Sequence, residues 1–127
     1  MSREAVLLLS CLMVGHFLGD FTPLATARMQ EAKARGGPMR FIAAHAALHA
    51  VLTGLAVALV ARPEPSQLVL VIGLQFVTHW VLDASRARLG VIVPALSDPT
   101  SNVFWTALGI DQLAHGLVLL GITVIVV

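Results

Sequence analysis

The chain has 127 residues, of which 57% are hydrophobic and only 12% charged, with a formal net charge of +1 and a mean hydropathy of +0.88. Soluble domains carry about twice that charged fraction, and a soluble chain of this size has too little interior to hide so much apolar surface. The basic residues form no tract, which argues against a nucleic-acid partner.

Four apolar runs follow one another at about residues 4–22, 40–61, 66–86 and 103–126. Each is near the roughly 20 residues that a bilayer-crossing helix needs. The first begins Met1-Ser2-Arg3-Glu4 and superficially resembles a signal peptide. It lacks a clear small-residue cleavage site and carries His16 and Asp20, so it is expected to be a retained span. Its only cysteine, Cys11, has no partner for an internal disulfide and reads as a small buried hydrophobe.

The connection over 23–39 holds a stretch of helix formers, Ala25 to Arg35, stopped by Gly36-Gly37-Pro38. It predicts a short interfacial helix. The segment Arg62-Pro63-Glu64-Pro65-Ser66 predicts a tight turn and hence antiparallel neighbours. Pro94, Asp98 and Pro99 break the last connection, with Ser101 or Asn102 placed to cap the fourth span. The expected fold is all-α: a single transmembrane domain over residues 1–127, built as a bundle of four transmembrane helices.

The first connection holds Arg28, Lys33, Arg35 and Arg40 and the third holds Arg86 and Arg88, against Arg3 and Arg62 on the other side. The positive-inside bias puts these two loops in the cytoplasm and both termini outside. The expected location is therefore the cell (inner) membrane, multi-pass, with membrane lipid as the immediate partner.

Polar residues within the spans are few and regularly spaced. The spans carry, in order, His16 and Asp20, His45 and His49, His79 and Asp83, and Asp111 and His115. Both members of each pair are four residues apart and so share one helical face. Ionisable groups inside a membrane cost several kcal/mol unless they are paired or functional. With alternating helix directions, His16, His49, His79 and His115 form a deep layer and Asp20, His45, Asp83 and Asp111 a shallower one. The layers are about 6 Å apart, both in the cytoplasmic half of the bilayer.

Imidazole and carboxylate together suit a divalent transition metal, zinc first, with iron or manganese as alternatives. Eight candidate ligands exceed what one ion takes, so one or two ions are expected, with two favoured. A buried polar network or proton relay is the alternative without a metal. Gln75 and Gln112 are candidates to support the ligands, and Arg86 to hold a substrate anion. Trp80 and Trp105 read as interface or packing residues. Gly15, Gly19, Gly54, Gly73, Gly109, Gly116 and Gly121 read as close helix contacts.

The four motifs, His16-x-x-x-Asp20-Phe21, His45-x-x-x-His49, His79-x-x-x-Asp83 and Asp111-Gln112-x-x-His115, resemble in order those of a small prokaryotic four-helix inner-membrane family of unknown function. The resemblance spans nearly the whole chain. It departs at Leu24, where the family carries glutamine, and at Arg86, where it carries lysine. The family is similar in style to membrane proteins labelled metal-dependent hydrolases. The resemblance implies the ligand set and leaves the reaction open.

Three functions are weighed. The first is a metal-dependent hydrolase acting on a lipid-phase or membrane-surface substrate, with Asp20, Asp83 and Asp111 as candidate general bases. The second is transport, delivery or sensing of a divalent ion, and the third a di-iron or haem redox role. A homo-oligomer or a partner subunit is a further expectation, since four short helices enclose little space.

Overall fold

A computed structural model describes residues 2–127; Met1, the first residue of the expected domain, lies outside the described residues. The elements are α1 (Arg3–Phe21), α2 (Ala27–Arg35), α3 (Met39–Val60), α4 (Pro65–Ile92), a single 3-10 turn (Pro94–Ser97) and α5 (Asn102–Val126). The protein is all-helical, with no strand among the described residues. Helices α1, α3, α4 and α5 are each long and apolar enough to cross a membrane.

Local chemistry sets the boundaries. Ser2 caps α1 by accepting from the Ala5 N–H at 3.0 Å, and Thr26 caps α2 by accepting from Met29 at 3.4 Å. α2 ends where Gly36 turns left-handed (φ 77°), with its N–H returned to the Ala32 carbonyl. α3 ends at Ala61 and Arg62, both of which donate back to Val57. Pro65 then opens α4 at a position where its missing N–H costs nothing. Of the two expected caps for α5, Ser101 is the one used, accepting from Val103 at 3.2 Å.

The interfacial helix expected between Ala25 and Arg35 is α2. The third span was expected to end at residue 86, but α4 continues to Ile92. Arginine marks the edge of a hydrophobic run without breaking a helix, and no breaker occurs before Pro94. The extra turns have a packing role. Ala87 joins Ala32 of α2 and Ile42 of α3 in a small buried cluster, so α4 outruns its apolar stretch to hold α2 across the end of the bundle.

α3 packs against α1 and α4, and α5 closes the ring against the same two. Many large apolar side chains point outward, among them Leu59, Val69, Ile110 and Val124, while His45, His49, Gln75, His79, Asp83 and His115 are buried. That inversion is the pattern of a bundle bathed in hydrocarbon. The inward row on each helix advances four residues at a time: Leu8, Leu12, His16 and Asp20 on α1; His45, His49, Thr53 and Val57 on α3. α4 continues the pattern with Val71, Gln75, His79 and Asp83, and α5 with Asp111, His115, Leu119 and Thr123. Every row is polar toward α2 and mostly apolar toward the termini, where Leu8, Leu12, Val57, Val71, Leu119 and Ile122 form the main core.

The glycines divide. A Cβ on Gly19 would collide with the His49 ring, and one on Gly54 would press on Ile72 at 2.8 Å. Gly15 has ordinary contact with Leu52 at 3.6 Å. Gly73, Gly109, Gly116 and Gly121 were expected at close helix contacts, but a Cβ on any of them would meet nothing within 4 Å. They lie on outward faces, and spacing alone did not separate them from the inward ones.

Candidate metal centre

All five histidine rings gather in the middle of the bundle. The His79 ring centroid lies 3.8 Å from that of His49, 4.4 Å from His115, 5.3 Å from His45 and 5.7 Å from His16. Helix geometry makes this meeting possible, because each histidine projects from the same inward row as its partner one turn away. Gly19 is part of the arrangement: without a side chain of its own, it leaves the space that the His49 imidazole fills.

Two overlapping groups of donor atoms have the spacing of metal ligands. Asp20, His45, His49 and His79 each offer one atom, all within 4.8 Å of one another, and His79, Asp83 and His115 do the same. These buried clusters can hold a metal ion. His79 belongs to both.

Hydrogen bonding satisfies only part of each group. Asp20 Oδ1 lies 2.9 Å from His45 Nε2, which donates to it, and His49 Nε2 is a further 3.4 Å neighbour. His16 Nδ1, His45 Nδ1, His49 Nε2, both ring nitrogens of His79, both carboxylate oxygens of Asp83 and His115 Nε2 are buried without a well-directed hydrogen bond, the nearest approach among them being His79 Nε2 to Asp83 Oδ2 at 3.3 Å. Bare nitrogens and carboxylate oxygens converging in an apolar interior are costly, and a divalent cation is the kind of group that satisfies them together. The His115 tautomer fits this role. Its Nδ1 lies 2.8 Å from the Asp111 carbonyl oxygen, which only accepts, so Nδ1 carries the proton and Nε2 keeps its lone pair.

The other expected residues stand one step out. His16 Nε2 is 3.3 Å from Asp20 Oδ2 and 3.3 Å from Gln112 Oε1. Gln112 in turn donates through Nε2 to Asp111 Oδ2 at 3.3 Å. Gln112 thus links His16 and Asp111, neither of which belongs to the two donor groups. Gln75 is buried one turn from His79 on the same face, but its Oε1 has no hydrogen-bond partner. Arg86 donates from Nη2 to the Leu96 backbone carbonyl. Trp105, more than half exposed, donates to the Pro99 carbonyl at 3.0 Å.

Lys33 is the residue that sequence reasoning missed, having counted it only as a positive charge of the first loop. From α2 its ammonium reaches into the centre, 3.2 Å from Asp83 Oδ2, 3.3 Å from Asp20 Oδ1 and 3.3 Å from His45 Nε2. Burial alone would lower its pKa, but Asp83 and Asp20 outweigh that and hold it above the ordinary lysine value. A signal was available: Lys33 is the chain's single lysine beside seven arginines. Its compact ammonium, on a flexible four-carbon stem, reaches both carboxylates at once.

Beside the centre, Lys33, Arg86, Asp111 and Gln112 face Phe21 and Phe104 across a cleft of about 270 Å³. Asp20 also lines it, so the cleft leads to the donor groups. No curated protein and no solved structure matches the chain. The chain belongs to the family described as "Protein of unknown function (DUF3307)", which it matches over residues 8–127, a span that includes every residue of the centre.

Proposed function

We propose that this protein is a membrane-embedded, metal-dependent hydrolase whose centre lies toward the cytoplasmic face of the cell membrane. The observation that carries the reading is the set of unpartnered buried donors on His49, His79, Asp83 and His115, next to a cleft with cationic and apolar walls. His79, Asp83 and His115, one of the two donor groups, would hold the ion, with the His49 ring stacked on His79 beside them, and the donor chemistry favours zinc. A divalent ion there supplies Lewis acidity and lowers the pKa of water.

The chain's own residues supply the rest. Asp83 is only 1% exposed and suits ligation better than proton transfer. Asp111 lines the cleft and lies outside both donor groups, which leaves its carboxylate free to take a proton from water. Lys33 and Arg86 are on the cleft wall and suit a phosphate-bearing headgroup. The volume fits a headgroup rather than a whole lipid, so acyl chains would remain in the bilayer against Phe21 and Phe104. Conduction of ions is less well supported, because the apolar core of Leu8, Leu12, Val57, Val71, Leu119 and Ile122 closes the bundle beyond the histidines.

The test is elemental analysis of detergent-purified protein, followed by phosphate release from a panel of phospholipids in mixed micelles with zinc. Wild type should carry stoichiometric metal, and His49→Ala and Asp83→Ala should lose at least ten-fold in affinity. Asp111→Asn should keep its metal and lose about 10²–10⁴-fold in rate. Wild-type protein free of metal would end the metal reading. Metal-loaded protein inactive on every lipid would end the hydrolase reading alone.

A further inference from the structure

The three close neighbours of the Lys33 ammonium are Asp20 Oδ1, Asp83 Oδ2 and His45 Nε2, at 3.2–3.3 Å. Asp20 and His45 belong to one candidate donor group and Asp83 to the other. The ammonium is thus a cation already seated between the two groups, delivered on α2 from outside the four-helix bundle. Lys33 is pinned there by its own helix: its neighbour Ala32 is fully buried against Ile42 and Ala87, which fixes the face that α2 turns to the centre.

The remaining donors suffice for one ion. His49, His79, Asp83 and His115 each keep at least one unpartnered buried atom, whereas Asp20 is engaged by His45 and Lys33. Charge points the same way. With neutral imidazoles, the carboxylates of Asp20, Asp83 and Asp111 face the ammonium of Lys33 and, on the cleft wall, Arg86, and one divalent ion brings the set to a single positive charge. A second would leave a surplus of three positive charges in a low-dielectric interior, where unbalanced charge is expensive.

We propose that Lys33 is a tethered second cation: the centre binds a single divalent ion on its His79–Asp83–His115 side, and the lysine holds the place that a second ion would take. This rests on the metal-binding reading above and concerns its stoichiometry. It also makes α2 part of the centre, so that a helix lying outside the spans controls how many ions the buried ligands accept.

The experiment is zinc stoichiometry after equilibrium dialysis of the detergent-solubilised full chain, with helix content and gel filtration confirming the fold of each variant. Wild type should bind one equivalent and Lys33→Met two, a two-fold rise. A second variant, Lys33→Gln, which keeps the length and polarity of the side chain without the charge or a zinc ligand, should also bind two equivalents. It carries the test if Lys33→Met does not fold. Two equivalents in wild type would overturn the proposal while leaving the metal centre intact. One equivalent in wild type and in every Lys33 variant would overturn it as well. No zinc in any of them would remove the metal centre itself, and the lysine's role with it.

Discussion

Toward the termini, the four long helices meet through Leu8, Leu12, Val57, Val71, Leu119 and Ile122. One to two turns further along the same inward rows, toward α2, they meet through five histidines and the aspartates between them. Both halves are buried, and both are built on steps of four residues. In the apolar half each side chain is satisfied by its neighbours alone, and packing is the whole of its contribution. In the polar half, His49, His79, Asp83 and His115 are left with buried atoms that no protein group satisfies. One half of the bundle is therefore satisfied by its own packing, whereas the other gathers buried groups that could bind a metal ion. The apolar half has a second consequence: it carries the stability that lets the polar half keep its costly groups buried.

The largest expected effect breaks this comparison most directly. His79 belongs to both donor groups, and its ring is the one nearest the middle of the five. His79→Ala should abolish zinc binding, a loss of at least a hundred-fold by isothermal titration, with little loss of fold. Leu119→Ala, two turns from Asp111 on the inward row of α5, should do the reverse. It should cost about 2 kcal/mol of stability, read from detergent unfolding curves, and leave zinc affinity within two-fold. Equal effects of the two substitutions on affinity would mean that the halves are not separable.

How much of this was legible beforehand follows from the same contrast. The four helices, their alternation and the meeting of Asp20, His45, His49, His79, Asp83 and His115 were readable because a period of four residues puts side chains on one face, and a membrane penalises them anywhere but inside. The end of α4 was not readable, since hydropathy reports where a chain leaves lipid rather than where its helix stops. Lys33 was hidden for a different reason. It lies in a polar connecting segment, where a basic residue needs no explanation, and only the packing of Ala32 against Ile42 and Ala87 turns it inward. The glycines failed in the opposite direction: Gly19 and Gly116 look alike in sequence, but one faces His49 and the other faces outward with no neighbour.

That pair of glycines provides a sharper test within single helices. Gly19→Ala puts a methyl group where the His49 ring now lies, so the ring must move or α1 must shift. Displacing the ring stacked on His79 in this way should weaken zinc binding by about 10–100-fold, the usual range for disturbing the support of a metal ligand. Gly116→Ala, one residue after His115, meets nothing within 4 Å and should change neither stability beyond about 0.5 kcal/mol nor affinity. A zinc titration of both variants decides the matter. A strong effect at Gly116 would show that its outward face is covered by another chain.

A smaller effect than at the ligands is expected at Gln112, which touches the donor groups only through others. Its Oε1 lies 3.3 Å from His16 Nε2, and its Nε2 donates to Asp111 at 3.3 Å. The amide therefore orients His16 against Asp20 and holds Asp111 at the edge of the cleft. Gln112→Leu keeps the bulk and removes both hydrogen bonds, so it should lower zinc affinity by no more than about ten-fold. If Asp111 serves as the base, the same substitution should lower the rate of lipid hydrolysis more than it lowers zinc affinity, because it frees the carboxylate that must face the substrate. Measured at saturating zinc, a rate deficit that persists separates positioning of Asp111 from loss of metal. A deficit that vanishes would confine Gln112 to supporting His16.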